Sequence, residues 1–138
     1  MKFYVVIDTN VIVSAALKPE SIPGQILELV FSGLIIPVLC EKIEEEYYEV
    51  LSRPKFSFDK QLVKEILENI KTLGLHVDPK HLDMNLPDMQ DLVFYETLIE
   101  IRNKEDAYLV TGNMKHFPKS DFIVNPREMI DVIYYSNN

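Results

Sequence analysis

The sequence predicts an α/β fold, a three-layer α/β/α sandwich around a mostly parallel central sheet, and three observations carry that prediction. Short apolar runs alternate with stretches of helical periodicity, the pattern of strand-helix-strand units. The first run, Phe3 to Ile7, is apolar on both faces, as a strand buried between two layers must be. Two runs break abruptly into polar turns, Asp8-Thr9-Asn10 and Thr111-Gly112-Asn113, at what would be the carboxyl ends of strands.

The remaining elements follow in order. Ser21 opens a short helix whose apolar positions Ile26, Leu27, Val30 and Phe31 close on Gly33 as a glycine C-cap. Leu34 to Leu39 is a second strand. From Glu41 to about Ser52, Ile43, Tyr47, Val50 and Leu51 share one helical face, and Arg53-Pro54 stops the helix because a residue before proline disfavours the α region. Asp59 caps a further helix with Leu62, Val63, Ile66, Leu67 and Ile70 as its buried stripe and Gly74 as its end. A polar loop from about His76 to Pro87 leads into a helix from Asp88 to about Asn103, then a strand, Ala107 to Val110. Asp121 to Val124 reads as a last short strand, and Asn125-Pro126-Arg127-Glu128 opens a terminal helix with proline in its first turn.

A length of 138 residues with 47% hydrophobic content predicts one domain spanning the whole chain, 1–138. No apolar run approaches the roughly 18 residues of a membrane span, and the opening residues run into Asp8 without a cleavage site, so a cytoplasmic protein is expected. The single cysteine, Cys40, sits among apolar neighbours and reads as a buried filler. A net charge of −8 and a pI near 4.8 count against binding nucleic acid through a broad basic face. They are compatible with a nucleic-acid substrate where the acidity is gathered in a pocket that divalent cations neutralise.

In open parallel sheets ligands bind beyond the carboxyl ends of the strands. If the strands before the two polar turns are neighbours, Asp8 and Asn113 face one pocket; the plainer alternative is that Asp8 only caps the next helix. Asp88 and Asp91 share a face at a helix start, where the helix dipole favours carboxylates, yet an acidic variant of the capping box explains the same pair without chemistry. In Glu44-Glu45-Glu46, the 100° turn per residue puts Glu45 on the solvated side and the other two on opposite borders of the apolar stripe. Periodicity does not choose between Glu44 and Glu46. Carboxylates converging from separate elements repel, and a hard divalent cation, Mg²⁺ or Mn²⁺, relieves that repulsion and suits carboxylates with no cysteine or histidine nearby. Phosphodiester hydrolysis fits such a centre.

Four segments, in order, resemble the motifs of the PIN-domain family, and more narrowly its VapC-type toxin ribonucleases: Val6-Ile7-Asp8-Thr9-Asn10, then Glu46 to Phe56, Pro87-Asp88-Met89-Gln90-Asp91, and Leu109 to Pro118. The resemblance selects Glu46 over Glu44. It implies a PIN-like fold, metal-dependent RNA cleavage without a covalent intermediate, a toxin role beside a cognate antitoxin, and homodimers. It implies Asp8, Glu46 and Asp91 as catalytic metal ligands, with Asp88 and Asn113 completing the metal set and Thr9, Asn10 and Thr111 in support. Where the family often has a fourth aspartate this chain has Asn113, which keeps an oxygen donor and loses a charge. Arg53, Lys55, Lys115, His116 and Lys119 are the candidates for holding the RNA substrate.

Three rivals stand beside that reading, the weakest a response-regulator-like receiver, for which no Asp-Asp pair precedes a suitably placed phosphoacceptor strand. A haloacid-dehalogenase-type phosphatase needs a second aspartate two residues after the first, where this chain has Asn10. A non-catalytic PIN-like module that binds RNA or a protein partner is the stronger alternative, favoured by the acidic pI.

Overall fold

The structure, a computed structural model, describes residues 1–136. Five strands form one parallel sheet in the order β3-β2-β1-β4-β5, from β1 (Phe3–Ile7), β2 (Ile35–Leu39), β3 (Leu75–His76), β4 (Ala107–Val110) and β5 (Ile123–Val124). The helices are α1 (Thr9–Leu17), α2 (Ile22–Phe31), α3 (Glu41–Leu51), α4 (Lys60–Leu73), α5 (Leu92–Arg102) and α6 (Pro126–Ser136). This is the α/β/α sandwich expected from the alternation of apolar runs, with every strand pair parallel.

Chain direction explains the layers. The crossovers from β1 to β2 and from β2 to β3 step one way along the sheet, and the crossover from β3 through α5 to β4 steps back past β1. With right-handed crossovers, the first two place α2 and α4 on one face and the third places α5 on the other. The packing agrees: α2 and α4 touch each other and β2, α6 joins α2, and α5 lies across β1, β2 and β4. The strand order therefore reverses between β1 and β4, which opens a crevice at their carboxyl ends.

Several ends form as the sequence dictates. The Ser21 hydroxyl accepts the Gly24 amide at 3.2 Å to start α2. The same helix ends in a Schellman motif, with Leu34 N–H on the Leu29 carbonyl, Gly33 N–H on the Val30 carbonyl and Gly33 at φ 86°. Asp59 caps α4 through the Gln61 amide, and Asn125 and Glu128 form a reciprocal capping box at α6. Cys40 is buried beside Thr97.

Four expectations need correction. Thr9 and Asn10 are the first turn of α1 and not a free turn; Val11, Ile12 and Val13 hide that helix behind β-branched residues that are buried in it. The loop expected from His76 begins with β3, two exposed residues too short to carry a pattern. The helix expected from Asp88 starts as a 3₁₀ turn, Met89–Asp91, before α5 proper. Gly74 ends α4 with an extended backbone, φ −83°, so it is not a left-handed cap; a Cβ there would lie 2.6 Å from the Leu39 methyl and 2.9 Å from the Pro37 carbonyl, and its role is close approach to β2.

Gly24 has the same role more severely, because a Cβ on it would overlap the Pro19 carbonyl. Gly24→Ala is expected to cost about 1–3 kcal/mol of stability, the range for forced overpacking, read as a lower urea midpoint at unchanged slope.

Candidate functional site

At the crevice between β1 and β4 the backbone itself brings the two polar segments together. Ile7 pairs with Val110, the Asp8 amide donates to the Val110 carbonyl at 2.9 Å, and Asp8 and Thr111 are thereby set side by side. The Thr111 hydroxyl donates to Asp8 Oδ2 at 2.7 Å and accepts the Asn113 amide at 2.9 Å. Asn10 bridges the same gap, with its amide nitrogen 3.3 Å from Asp8 Oδ2 and its Oδ1 accepting the Gly112 amide at 3.1 Å. Asp8 stands at the N-cap of α1 yet makes no side-chain capping bond, so helix capping does not account for its carboxylate.

Helix α3 delivers the next acid. The buried Tyr47 hydroxyl donates to the Ile7 carbonyl at the end of β1, which pins the middle of α3 over the crevice. Glu46, the preceding residue, receives a hydrogen bond from the Thr9 hydroxyl. Glu44 points elsewhere, with its carboxylate 3.2 Å from His76 Nε2 at the β3 edge.

The third strand-end contribution comes from the start of α5. Asp88 caps the 3₁₀ turn through the Gln90 amide at 3.0 Å, as expected for its position. Asp91 does not return the bond of a capping box: its Oδ2 lies 2.9 Å from His116 Nδ1 instead. The loop before these residues is held by the buried Glu96, which accepts the Leu82 amide at 2.7 Å and lies 2.8 Å from His81 Nδ1. Among the described residues, Asp88, Asp91 and His116 form a group whose potential ligand atoms all lie within 4.8 Å of one another.

One open cleft of about 670 Å³ is lined by Asp8, Glu46, Asp88, Asp91, Asn113 and His116, with Thr9 and Asn10 in its wall. Its electrostatics are unbalanced. Glu45 and Glu49 add two more carboxylates, against Lys42 and Arg53, and Arg53 is itself engaged by Glu49 at 2.9 Å. Among the described residues no lysine or arginine forms an ion pair with Asp8, Glu46 or Asp91. Burial pushes the Asp8 carboxyl up to about 6; the Thr111 hydroxyl opposes this, Asp91 adds to it, the Thr9 amide lowers it, and Glu46 adds a little more. Glu46 and Asp91 are raised as well, each mainly by burial, with the Thr9 hydroxyl and His116 respectively pulling the other way.

Carboxylate oxygens, one amide and one imidazole, converging without a compensating cation, form a donor set suited to a hard divalent ion. The residues present fit such a metal: Asp88, Asp91 and His116 offer ligand atoms close enough to share one ion, with a histidine nearer the acids than expected, while Asp8 and Glu46 face the same cleft outside that group.

The candidate residues divide by place. Arg53 and His116 line the cleft. Lys55 stands over the Phe56 ring, 5.1 Å from its centroid, and Lys115 and Lys119 line a separate depression beside β5. Sequence reasoning misses Lys42, Glu49, Val50 and Phe56 in the cleft wall. For the first three a signal exists, since Lys42, Glu46, Glu49, Val50 and Arg53 form one stripe at spacings of three and four. Val50, expected on the core face of α3, is partly exposed on that stripe. Phe56 lies in a corner after the helix and has no periodicity to betray it.

Comparison with known proteins adds two findings. The family described as PIN domain matches residues 4–115. An uncharacterised protein of Methanocaldococcus jannaschii is 29% identical over 116 residues, covering 82% of this chain and 72% of that protein.

Proposed function

The chain belongs to the PIN-domain family, and from that premise we propose that it is a metal-dependent endoribonuclease that hydrolyses RNA phosphodiester bonds at the cleft of Asp8, Glu46 and Asp91. The family's fold is of the nuclease type. The observation that carries the reading is the buried, unpaired Asp8 carboxylate facing two further raised acids where the strand order reverses.

In this reading Asp8, Glu46, Asp88 and Asp91 would hold Mg²⁺ or Mn²⁺, with Asn113 as a further oxygen donor. The ion would supply Lewis acidity, lowering the pKa of water and stabilising charge on the phosphate. The chain supplies orientation. Thr111 and Asn10 hold Asp8, and Thr9 holds Glu46, so neither carboxylate must reorganise when substrate arrives. Arg53 and Lys42 line the same cleft as the acids and would meet phosphate oxygens of a bound strand. His116 orients Asp91 through its Nδ1 contact with that carboxylate.

The finer parts of the proposal rest on the four-motif likeness to VapC-type toxins. They are a toxin role, a cognate antitoxin and a homodimer; one domain over 1–138 and a cytoplasmic location rest instead on length, composition and the lack of a long apolar run. Among the described residues no helix is long and apolar enough to cross a membrane. Tyr134 and Tyr135 on α6 are 68% and 70% exposed and suit a dimer surface, whereas the preceding Ile133 is buried.

The test is incubation with a mixed pool of structured RNAs in Mn²⁺, Mg²⁺ or EDTA, beside calorimetry with Mn²⁺. Metal-dependent cleavage supports the proposal. Metal binding with no cleavage, or no binding at all, returns the chain to the non-catalytic RNA- or protein-binding reading that its charge of −8 favours.

A further inference from the structure

We propose that the Phe56 ring is a stacking platform for an unpaired nucleobase next to the bond cut, and so the residue of this chain through which the strand state of the substrate is read. The inference rests on the ribonuclease reading and adds a second contact to it. Phe56 is partly exposed and lines the same cleft as Asp8, Glu46 and Asp91, in a wall otherwise made mostly of charged and polar side chains. An apolar ring at the edge of an acidic cleft has no role in holding a cation.

The ring is held rigidly. Pro54 starts a 3₁₀ turn, Pro54–Phe56, and Ser57 closes it in the left-handed region at φ 52°, a conformation that costs a non-glycine residue energy and persists only where neighbours enforce it. The Ser57 amide donates to the Pro54 carbonyl at 3.1 Å, which fixes the corner. Phe58 backs the ring, stacked at 5.5 Å between centroids and 16° between planes. A platform that is already ordered loses little conformational freedom when a base lands on it.

Charge surrounds this ring in the way a nucleotide requires. The Lys55 ammonium rests over the Phe56 ring, and the Arg53 guanidinium is paired with Glu49, both at the surface. Contacts of these kinds are weak when exposed. A base arriving on the ring displaces Lys55 toward the adjoining phosphate, and Arg53 exchanges Glu49 for the next one. Stacking uses the face of a base, which is covered on both sides in a duplex, so only an unpaired nucleotide fits. It also tolerates any base, so this contact sets strand state and not sequence.

The experiment is a cycle between the ring and the base. Cleavage kinetics with Mn²⁺ are measured on a single-stranded oligoribonucleotide, and on the same strand with an abasic ribose beside the cleaved bond. Each is cut by wild type, Phe56→Ala, Phe56→Leu and Phe56→Tyr. Removing the base is expected to raise KM for wild type by about 5- to 150-fold, the range for one stacked base. Phe56→Ala and Phe56→Leu show a similar loss on the intact strand and little further loss on the abasic one, while Phe56→Tyr behaves as wild type. Mn²⁺ affinity by calorimetry stays unchanged in all three variants, which separates this role from damage to the acidic site. An unchanged KM in Phe56→Ala and Phe56→Leu, or losses that simply add, overturns the platform and leaves the nuclease standing. A wild type that neither cuts nor binds the strand overturns both.

Discussion

Asp8→Asn is expected to make the metal-free protein more stable near pH 8 while removing its metal binding and its cleavage. The cause is the environment of the carboxyl, 4% exposed and raised from 3.8 to about 6, chiefly by burial. A carboxyl whose folded-state pKa lies above its unfolded value favours folding when protonated. That contribution is complete below about pH 4 and is lost as pH rises through about 6. The shift corresponds to about 3 kcal/mol lost by pH 8, as an upper bound on what Asp8→Asn restores. The amide keeps the shape and still accepts the Thr111 hydroxyl, so the change removes charge without opening a hole.

The sign distinguishes this from an ordinary core lesion, since most substitutions of a buried, hydrogen-bonded side chain destabilise. Urea unfolding in EDTA at pH 5 and pH 8 reads it directly. The midpoint of Asp8→Asn should exceed that of wild type at pH 8, and the gap should narrow to about half at pH 5, closing only below about pH 4. Saturating Mn²⁺ should then stabilise wild type by about 2–3 kcal/mol at a hundredfold excess over Kd and leave the variant unmoved. A variant less stable than wild type in EDTA at pH 8 would sink the view that Asp8 is held ionised at a cost that a cation relieves.

Why Asp8 is legible in the sequence and other parts are not follows from how each signal arises. Burial on both faces leaves a strand as an unbroken apolar run, and such a run ending in Asp8 or Thr111 marks a carboxyl end whatever the loops do. Helices α2, α3 and α4 pack one face and expose the other, so their stripes are readable, as are the caps at Ser21 and Asp59, but the edges of a stripe are not: Leu62, expected buried, is exposed, and Val50 is only partly covered. Helix α1 is apolar around much of its circumference, and without amphipathicity it has no phase to read. Which carboxylates converge is a matter of sheet order, and only β1 lying beside β4 brings Asp8 to Thr111. The His116 contact to Asp91 spans 25 positions between a loop and a 3₁₀ turn, and neither has a period from which the pairing could be inferred.

Glu46→Gln is expected to abolish cleavage, and Glu44→Gln to leave it intact, although the sequence pattern treats the two residues alike. Two helical positions differ by about 200° around the axis, so residues flanking one apolar stripe look to different neighbours. The direction each takes is decided by Tyr47, whose hydroxyl on the Ile7 carbonyl sets the rotation of α3 about its axis. That rotation aims Glu46 at Thr9 and the crevice, and Glu44 at His76 on the far edge of the sheet. In Glu46→Gln the side-chain amide oxygen still accepts the Thr9 hydroxyl, so the fold should survive while the charge is gone. The loss in kcat/KM should exceed about 100-fold, the upper range for residues that act only by orienting a metal ligand. Glu44→Gln breaks a half-exposed contact and should stay within about twofold of wild type. Single-turnover cleavage of one oligoribonucleotide by the two variants, each checked for an unchanged melting temperature in EDTA, gives the comparison. Equal losses in both variants would mean that α3 acts through its overall negative field, and that the placement of one carboxylate by Tyr47 and Thr9 is incidental.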